Sequence, residues 1–390
     1  MTALTTASEQ LAVVRRELPV LEQQAYLNTG TAGPLPRRVS EAINGELKRQ
    51  EHDGRASAEH YVQQYFPLRE DLRARFARLL GATAEEIAIT HHTTEGMNIA
   101  VWGLNWQHGD EIVTTTHEHD GALLPIYTAA RRLGLTVRIV EGADIVGAIA
   151  EALSPRTRLV VTSHVSYRTG EVLPLAEIAR EAHRVGAFFA VDGAQSAGTI
   201  PLNVPSLGVD AYAIPGQKWL CGPEGVGALY VRGSRVSELS PTYVGHFATR
   251  DFDATDLSGY YLPAPGAGRY EGGTVYWPVL YGMRESLRWL EETIGWEWIF
   301  AQTTAMTRRC REMLDHLQGV TVRSPAGHIA LTAFSIAGAD PEETVSALTQ
   351  RGVVIRTLHH SPWLRVSTGF FTADDELDRL REGLLAIHQP

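Results

Sequence analysis

Short β-rich runs alternate with longer amphipathic runs through the first two-thirds of this chain. EEIAIT, DEIVTTT, TVRIVE, TRLVVTSHV, AFFAVDGA, DAYAIP and GALYVR read as strands. PLREDLRARFARLLG, GALLPIYTAARRLG and LAEIAREAHRVG read as helices, with apolar residues at helical spacing. Alternation on this scale is the mark of a mostly parallel sheet with helices on both faces. The expected architecture is therefore α/β, with a seven-stranded, mostly parallel sheet in a large domain.

The pattern changes after GTVYWPVLYGMRESLRWLEETIGWEWIFAQTTAMTRRCREMLDHL, which reads as a long helical connection. Beyond it, TVRSP, IALTAFSIAG, VVIRTL and PWLRVST read as strands, while DPEETVSALTQRG and DDELDRLREGLLAIH read as helices. We expect an N-terminal segment (1–25) packing with the small domain, a large domain over 26–284, and a small α+β domain over 285–390. The stretch 256–274, rich in Gly and Pro, is expected to be a functional or mobile loop.

With 390 residues, 44% of them hydrophobic, the chain can fill two large cores. A formal net charge of −10 makes it a poor ligand for nucleic acid or acidic membranes. No apolar run approaches the ~20 residues of a membrane-spanning helix. Its first residues lack an apolar block followed by a small-residue cleavage site. Two cysteines, Cys221 and Cys310, make no disulfide framework. The expected compartment is the cytoplasm.

Within AYAIPGQKWLCGPEGVG, Lys218 stands among apolar residues and glycines. A desolvated lysine has a lowered pKa and is a nucleophile toward carbonyl carbon. Asp192 ends the apolar strand of FFAVDGAQSAG, at the edge where parallel sheets bind ligands. A lone Asp–Lys pair is most often a structural ion pair. Here, though, an aspartate suited to a pyridine nitrogen accompanies a lysine suited to an aldehyde, which points to pyridoxal 5'-phosphate (PLP). Thr93 and Thr94, at an inferred strand-to-helix turn, offer hydroxyls and free N–H groups to a phosphate. His119, just after another strand, offers an imidazole to the ring. Singly, these would be plain N-caps and a surface histidine. HEHD has no second ligand pair to make it a metal site.

In this order, TTEGMN, HEHDG, VDGAQSAG and GQKWLCGPEGVGALYV resemble the class V aminotransferase family of fold-type I PLP enzymes. That group includes cysteine desulfurases, selenocysteine lyases and isopenicillin N epimerase-like proteins. The resemblance runs from YLNTGTAGPLP to the C-terminal helix and looks closest to the cystine/cysteine C–S lyase branch. It implies that Lys218 binds the cofactor covalently and acts as base at Cα. Asp192 would pair with the ring nitrogen, Gln195 would bind the ring hydroxyl oxygen, and His119 would stack on the ring. Thr93, Thr94 and Gln217 would lie at the cofactor. Thr274 would reach the phosphate of a neighbouring subunit, which implies a homodimer. Arg365 would grip the carboxylate of an amino-acid substrate, with Tyr167 and Asn28 beside it.

Three departures from the family pattern carry information. Pro215 and Gln217 replace the usual Ser/Thr and His before the lysine. Tyr167 replaces an asparagine near the substrate. Finally, desulfurases carry a nucleophilic cysteine on a loop after RTGHH, whereas this chain reads RTLHHSPWLRVST with Ser361 at that point. A serine cannot carry sulfur as a persulfide, so the expected reaction is β-elimination from L-cysteine, L-cystine or a related S-conjugate. Pyruvate, ammonia and a thiol or persulfide would result. An aminotransferase or epimerase would use the same lysine without elimination, and a non-catalytic PLP-binding protein would hold the cofactor without turnover. CGPEGVG lacks the G-x-G-x-x-G spacing of a dinucleotide module.

Overall fold

The computed structural model describes residues 7–55, 57–250 and 256–388. In chain order its strands are β1 (Ala25–Tyr26), β2 (Ile87–Thr90), β3 (Glu111–Thr115), β4 (Thr136–Val140) and β5 (Thr157–Ser163). They continue with β6 (Phe188–Asp192), β7 (Ala211–Pro215), β8 (Gly227–Val231), β9 (Val320–Val322) and β10 (Leu331–Ile336). The last three are β11 (Val353–Val354), β12 (Arg356–Thr357) and β13 (Leu364–Ser367). Strands β2 to β8 form one seven-stranded sheet in the order β2-β8-β7-β6-β5-β3-β4. Its pairs are parallel except those of β8, which runs antiparallel to β2 and β7. Each strand of the expected sheet is present. The exception has a simple cause: a parallel crossover needs a dozen or more residues, and the chain turns back from β7 to β8 over 216–226. Lys218 sits in that return.

Both faces of the sheet are covered. Strands β2, β3, β6, β7 and β8 are buried along their whole length, whereas the edge strand β4 is half open. Alternate residues feed different cores, as the period of two requires. Ile87, Ile89, Val160 and Ile214 join one cluster, and Ala88, Leu159, Val161 and Ala213 join the other. Burial of this sort contributes about 25 cal/mol per Å2 of apolar surface, an upper bound for the folding term.

A second, antiparallel sheet has the order β12-β13-β10-β9. Its core gathers Met306, Cys310 and Leu314 from the helix Trp296–Asp315, Phe334 and Val366 from the sheet, and Leu380 and Leu384 from the helix Asp374–His388. The expected boundary at 284/285 falls inside the helix Trp277–Arg288. β1 pairs in parallel with β11, and Ala25 and Leu27 belong to the core of the second sheet. Arg15, on the helix Ala7–Arg16, donates to Phe371 O at 2.9 Å and pairs with Glu376 at 2.7 Å. These contacts bring the start of the chain onto its C-terminal part.

The stretch 256–274 is anchored at one end. Tyr270 Oη donates to the carbonyls of Val236 and Leu239, and buried Glu271 takes three hydrogen bonds from Arg73 and one from Ile89 N. Leu257 and Tyr260 near its start are exposed.

Candidate active site

At the C-terminal edge of the large sheet lies a cavity of ≈ 470 Å3. Lys218, His119, Thr93, Thr94, Asp192, Gln195, Gln217, Tyr167 and Arg365 all line it, together with Thr31, Pro215 and Arg356. Thr274 does not; it lines a separate surface pocket with Tyr61, Val62 and Phe247. Asn28 stands behind the cavity, where its Oδ1 accepts from Thr31 Oγ1 at 2.9 Å.

The lysine loop is held from several sides. Gly216 N donates to Val226 O at 2.8 Å, Gly222 N to Gly216 O at 2.9 Å, and Gly33 N to Gln217 O at 2.7 Å. A Cβ on Gly33 would lie 2.1 Å from Lys218 O, so that backbone approach is open only to glycine. Cβ atoms on Gly216 or Gly222 would each lie 2.5 Å from Met283 Sδ. Gly216 and Gly222 thus seat the loop on the helix Trp277–Arg288. The Lys218 side chain reaches the cavity, and desolvation pulls its amine down to about 8. Arg365 and Arg356 push in the same direction, against Asp192.

Asp192 is 5% exposed, and its Oδ1 accepts from Ala194 N at 2.8 Å. The Gln195 amide has a fixed orientation. Its Oε1 accepts from the Trp219 indole N–H at 2.9 Å, and its Nε2 donates to Gly30 O at 2.9 Å, which leaves one amide proton for a ligand. His119 caps the helix Asp120–Leu133: Nδ1 accepts from Gly121 N at 3.0 Å. A backbone N–H can only donate, so the neutral ring carries its proton on Nε2. Desolvation, then the Lys218 charge, holds His119 below its ordinary range. The Tyr167 ring meets it edge-on at 5.1 Å.

Thr93 opens the helix Thr93–Gly103, whose first N–H groups have no partner within the helix. Gly96 packs this helix on β7, where a Cβ would lie 2.6 Å from Ala213 Cβ. Thr93 Oγ1 and Gln217 Oε1 are buried without a hydrogen-bond partner among the described residues. An unsatisfied buried polar atom costs about 1–3 kcal/mol, which a bound group with matching oxygens and donors would relieve.

Arg365 on β13 is 1% exposed. It donates to Tyr167 O at 2.8 Å and Thr31 Oγ1 at 3.3 Å, its Nε is unpartnered, and desolvation pulls it down to about 9. Arg356 on β12 is its direct cross-strand partner and also donates to Thr31 Oγ1, at 3.1 Å. Like charges facing across strands repel. Among the described residues neither arginine has a carboxylate partner, so the pair is a ready anion site. The sequence reading missed Arg356 and Thr31. A signal existed, since the two arginines are equidistant from the centre of the HHSP turn.

That turn is tight. Leu358 N donates to Trp363 O at 2.9 Å, and His360 has φ 57°. Ser361 replaces any thiol there. Both cysteines are buried, and desolvation pushes Cys310 up to about 12 and Cys221 higher still.

Comparison with known proteins agrees with this geometry. Residues 25–380 match the family described as Aminotransferase class-V. A probable cysteine desulfurase of Methanothermobacter thermautotrophicus is 30% identical over 394 residues, 96% of this chain and 97% of the relative. Isopenicillin N epimerase of Streptomyces clavuligerus is 31% identical, with 93% and 94% covered. The cystine C–S lyase C-DES, solved with its product cysteine persulfide, superposes with a TM-score of 0.88 at 31% identity, covering 94% of this chain and 98% of that one. A C-DES mutant solved with glycine covalently linked to the PLP cofactor has the same TM-score and identity, covering 95% and 98%. The expected fold-type I architecture is therefore present, and the chain belongs to the class V aminotransferase family.

Proposed function

We propose that this chain is a PLP-dependent C–S lyase that eliminates sulfur from Cβ of L-cysteine, L-cystine or a related S-conjugate. The residues fit the cofactor. Lys218 would hold it covalently, and Asp192 would face its ring nitrogen. The free Gln195 proton would meet its ring oxygen, and His119 would lie against the ring. Thr93, Thr94 and the helix N-terminus would receive its phosphate, where Pro215 has no donor to add. When bound, PLP supplies an electron sink for the pair left at Cα on loss of its proton.

The chain's own groups do the rest. Arg365 fixes the substrate carboxylate with a planar fork, which orients the Cα–H bond. Lys218, with an amine near neutrality, takes that proton. Sulfur then departs from Cβ as a thiolate or persulfide with no second nucleophile. The observation that carries this reading is the lack of an acceptor thiol: the β12–β13 turn holds Ser361, and both cysteines are buried and protonated. Arg356 beside Arg365 supports a substrate with two carboxylates, such as cystine.

The test is pyruvate release from L-cystine and L-cysteine by cofactor-loaded protein. Wild type should release it and Lys218→Ala should not. The epimerase relative supports a second reading, in which bound amino acid is racemised at Cα with no pyruvate formed; chiral analysis of the same reaction detects it. We further propose a cytoplasmic homodimer. Thr274 lies outside its own subunit's cavity, Tyr276 and Tyr260 are exposed nearby in sequence, and exposed Tyr243 packs against Gly272, which supports a partner surface there. Among the described residues no helix is long and apolar enough to cross a membrane.

A further inference from the structure

A second buried carboxyl group lies beside Asp192, and the reaction proposed above leaves it unused. Glu118 is 3% exposed. Its Oε1 accepts from Thr115 Oγ1 at 2.6 Å and its Oε2 from Ser163 Oγ at 2.8 Å. Ser163 is the direct partner of Asp192 across β5 and β6. Among the described residues no cation pairs with Glu118. Burial is the largest influence on it, pushing its carboxyl up to about 7; the two hydroxyls pull down and Asp192 adds to the rise.

Near neutrality the neighbouring histidines supply no compensating charge. His117 and His119, on the same turn, are held below their ordinary range by burial, and His164, next to Ser163, is pushed down to about 4. Lys218 interacts with Asp192, and Asp192 also has the Ala194 N–H. Two carboxylates in one dry site do not both ionise cheaply; with the proton on Glu118, one of its two hydroxyl contacts reverses, the carboxyl donating and the hydroxyl accepting.

We propose that Glu118 and Asp192 act as a coupled carboxyl pair in which Glu118 holds the proton, leaving Asp192 as the ionised member that faces the ring nitrogen. This rests on the PLP reading. Glu118 touches neither cofactor nor substrate and is a positioning residue, acting through the charge of Asp192. When Glu118 ionises as pH rises through about 7, a second negative charge strengthens the hold on the ring-nitrogen proton.

The experiment is a pH titration of the holoenzyme, followed by the absorption of the bound cofactor and by difference infrared spectroscopy. Wild type should lose the carbonyl stretch of a protonated carboxylic acid in a step near neutrality, and Glu118→Gln should lack that step. The chromophore's response to pH should differ between the two. Ser163→Ala removes a hydroxyl that favours the ionised form, so the step should move to higher pH. An unchanged step in Glu118→Gln, or its absence from wild type between about pH 5 and about pH 9, overturns the proposal. If Glu118→Gln does not fold, a step unmoved by Ser163→Ala overturns it equally. Purified protein that binds no cofactor defeats the PLP reading, whereas the infrared step reports on the carboxyl pair alone.

Discussion

A single amine illustrates how the residue scale governs this site. Lys218 is useful only when neutral, and the fold lowers its pKa by desolvation and by two arginines while Asp192 opposes them. The direction gives a prediction. Uptake of PLP by the apoprotein should accelerate by about tenfold per pH unit below about 8 and level off above it. Stopped-flow absorption measures this directly. A rate flat between about pH 6 and about pH 9 would mean that the amine is not the attacking group. His119 adds a second residue-scale constraint. By capping its helix through Nδ1 it fixes its own tautomer, so one imidazole both caps the helix and lines the cavity.

The helix Thr93–Gly103 shows the element scale. Gly96 lets it lie against β7, which aims its N-terminus at the loop that carries Lys218. Thr93→Val keeps the shape and removes the orphaned hydroxyl. A hydrogen bond to a charged group contributes about 1.5–3 kcal/mol, so PLP affinity should fall by roughly 10- to 100-fold. Fluorescence titration of the apoprotein checks it, and unchanged affinity would place the phosphate elsewhere. The sequence exposed this element because a strand, two threonines and an apolar run follow one another in one short stretch. It also exposed all seven strands of the large sheet, since each is a compact apolar run. It did not expose β1, whose two-residue pairing with β11 joins Ala25 to Val353 and leaves no periodicity to read. Helices Arg37–Asp53 and Ile145–Ala152 were passed over too: the first is mostly polar, and the second lacks a polar face to mark its period. Arg356 was missed because its symmetry with Arg365 about the HHSP turn gains meaning only once that turn is read as a hairpin joining β12 and β13. Glu118 was hidden for a related reason. In HEHD it reads as a surface charge, and its hydroxyl partners on β3 and β5 meet it only in the folded sheet.

At the scale of the whole molecule, the question is whether one chain completes one site. Eight of the expected cofactor and substrate residues join Lys218 in a single cavity, while Thr274 sits in another pocket beside Tyr61 and Phe247. Thr274 either serves no site or serves a neighbour's, and subunit mixing separates these. Thr274→Glu would place a negative charge against the neighbour's phosphate, so its homodimer should bind PLP poorly. Lys218→Ala should bind it without turnover. Refolded together in equal amounts, half of the dimers should be mixed, and each mixed dimer should contain one site with a native lysine and a native threonine. Pyruvate release from the mixture should then reach about a quarter of the wild-type rate although each parent has almost none. A Thr274→Glu homodimer as active as wild type would leave Thr274 outside the chemistry, and inactive parents with no recovery, dimers being confirmed by sedimentation, would confine every site to one chain.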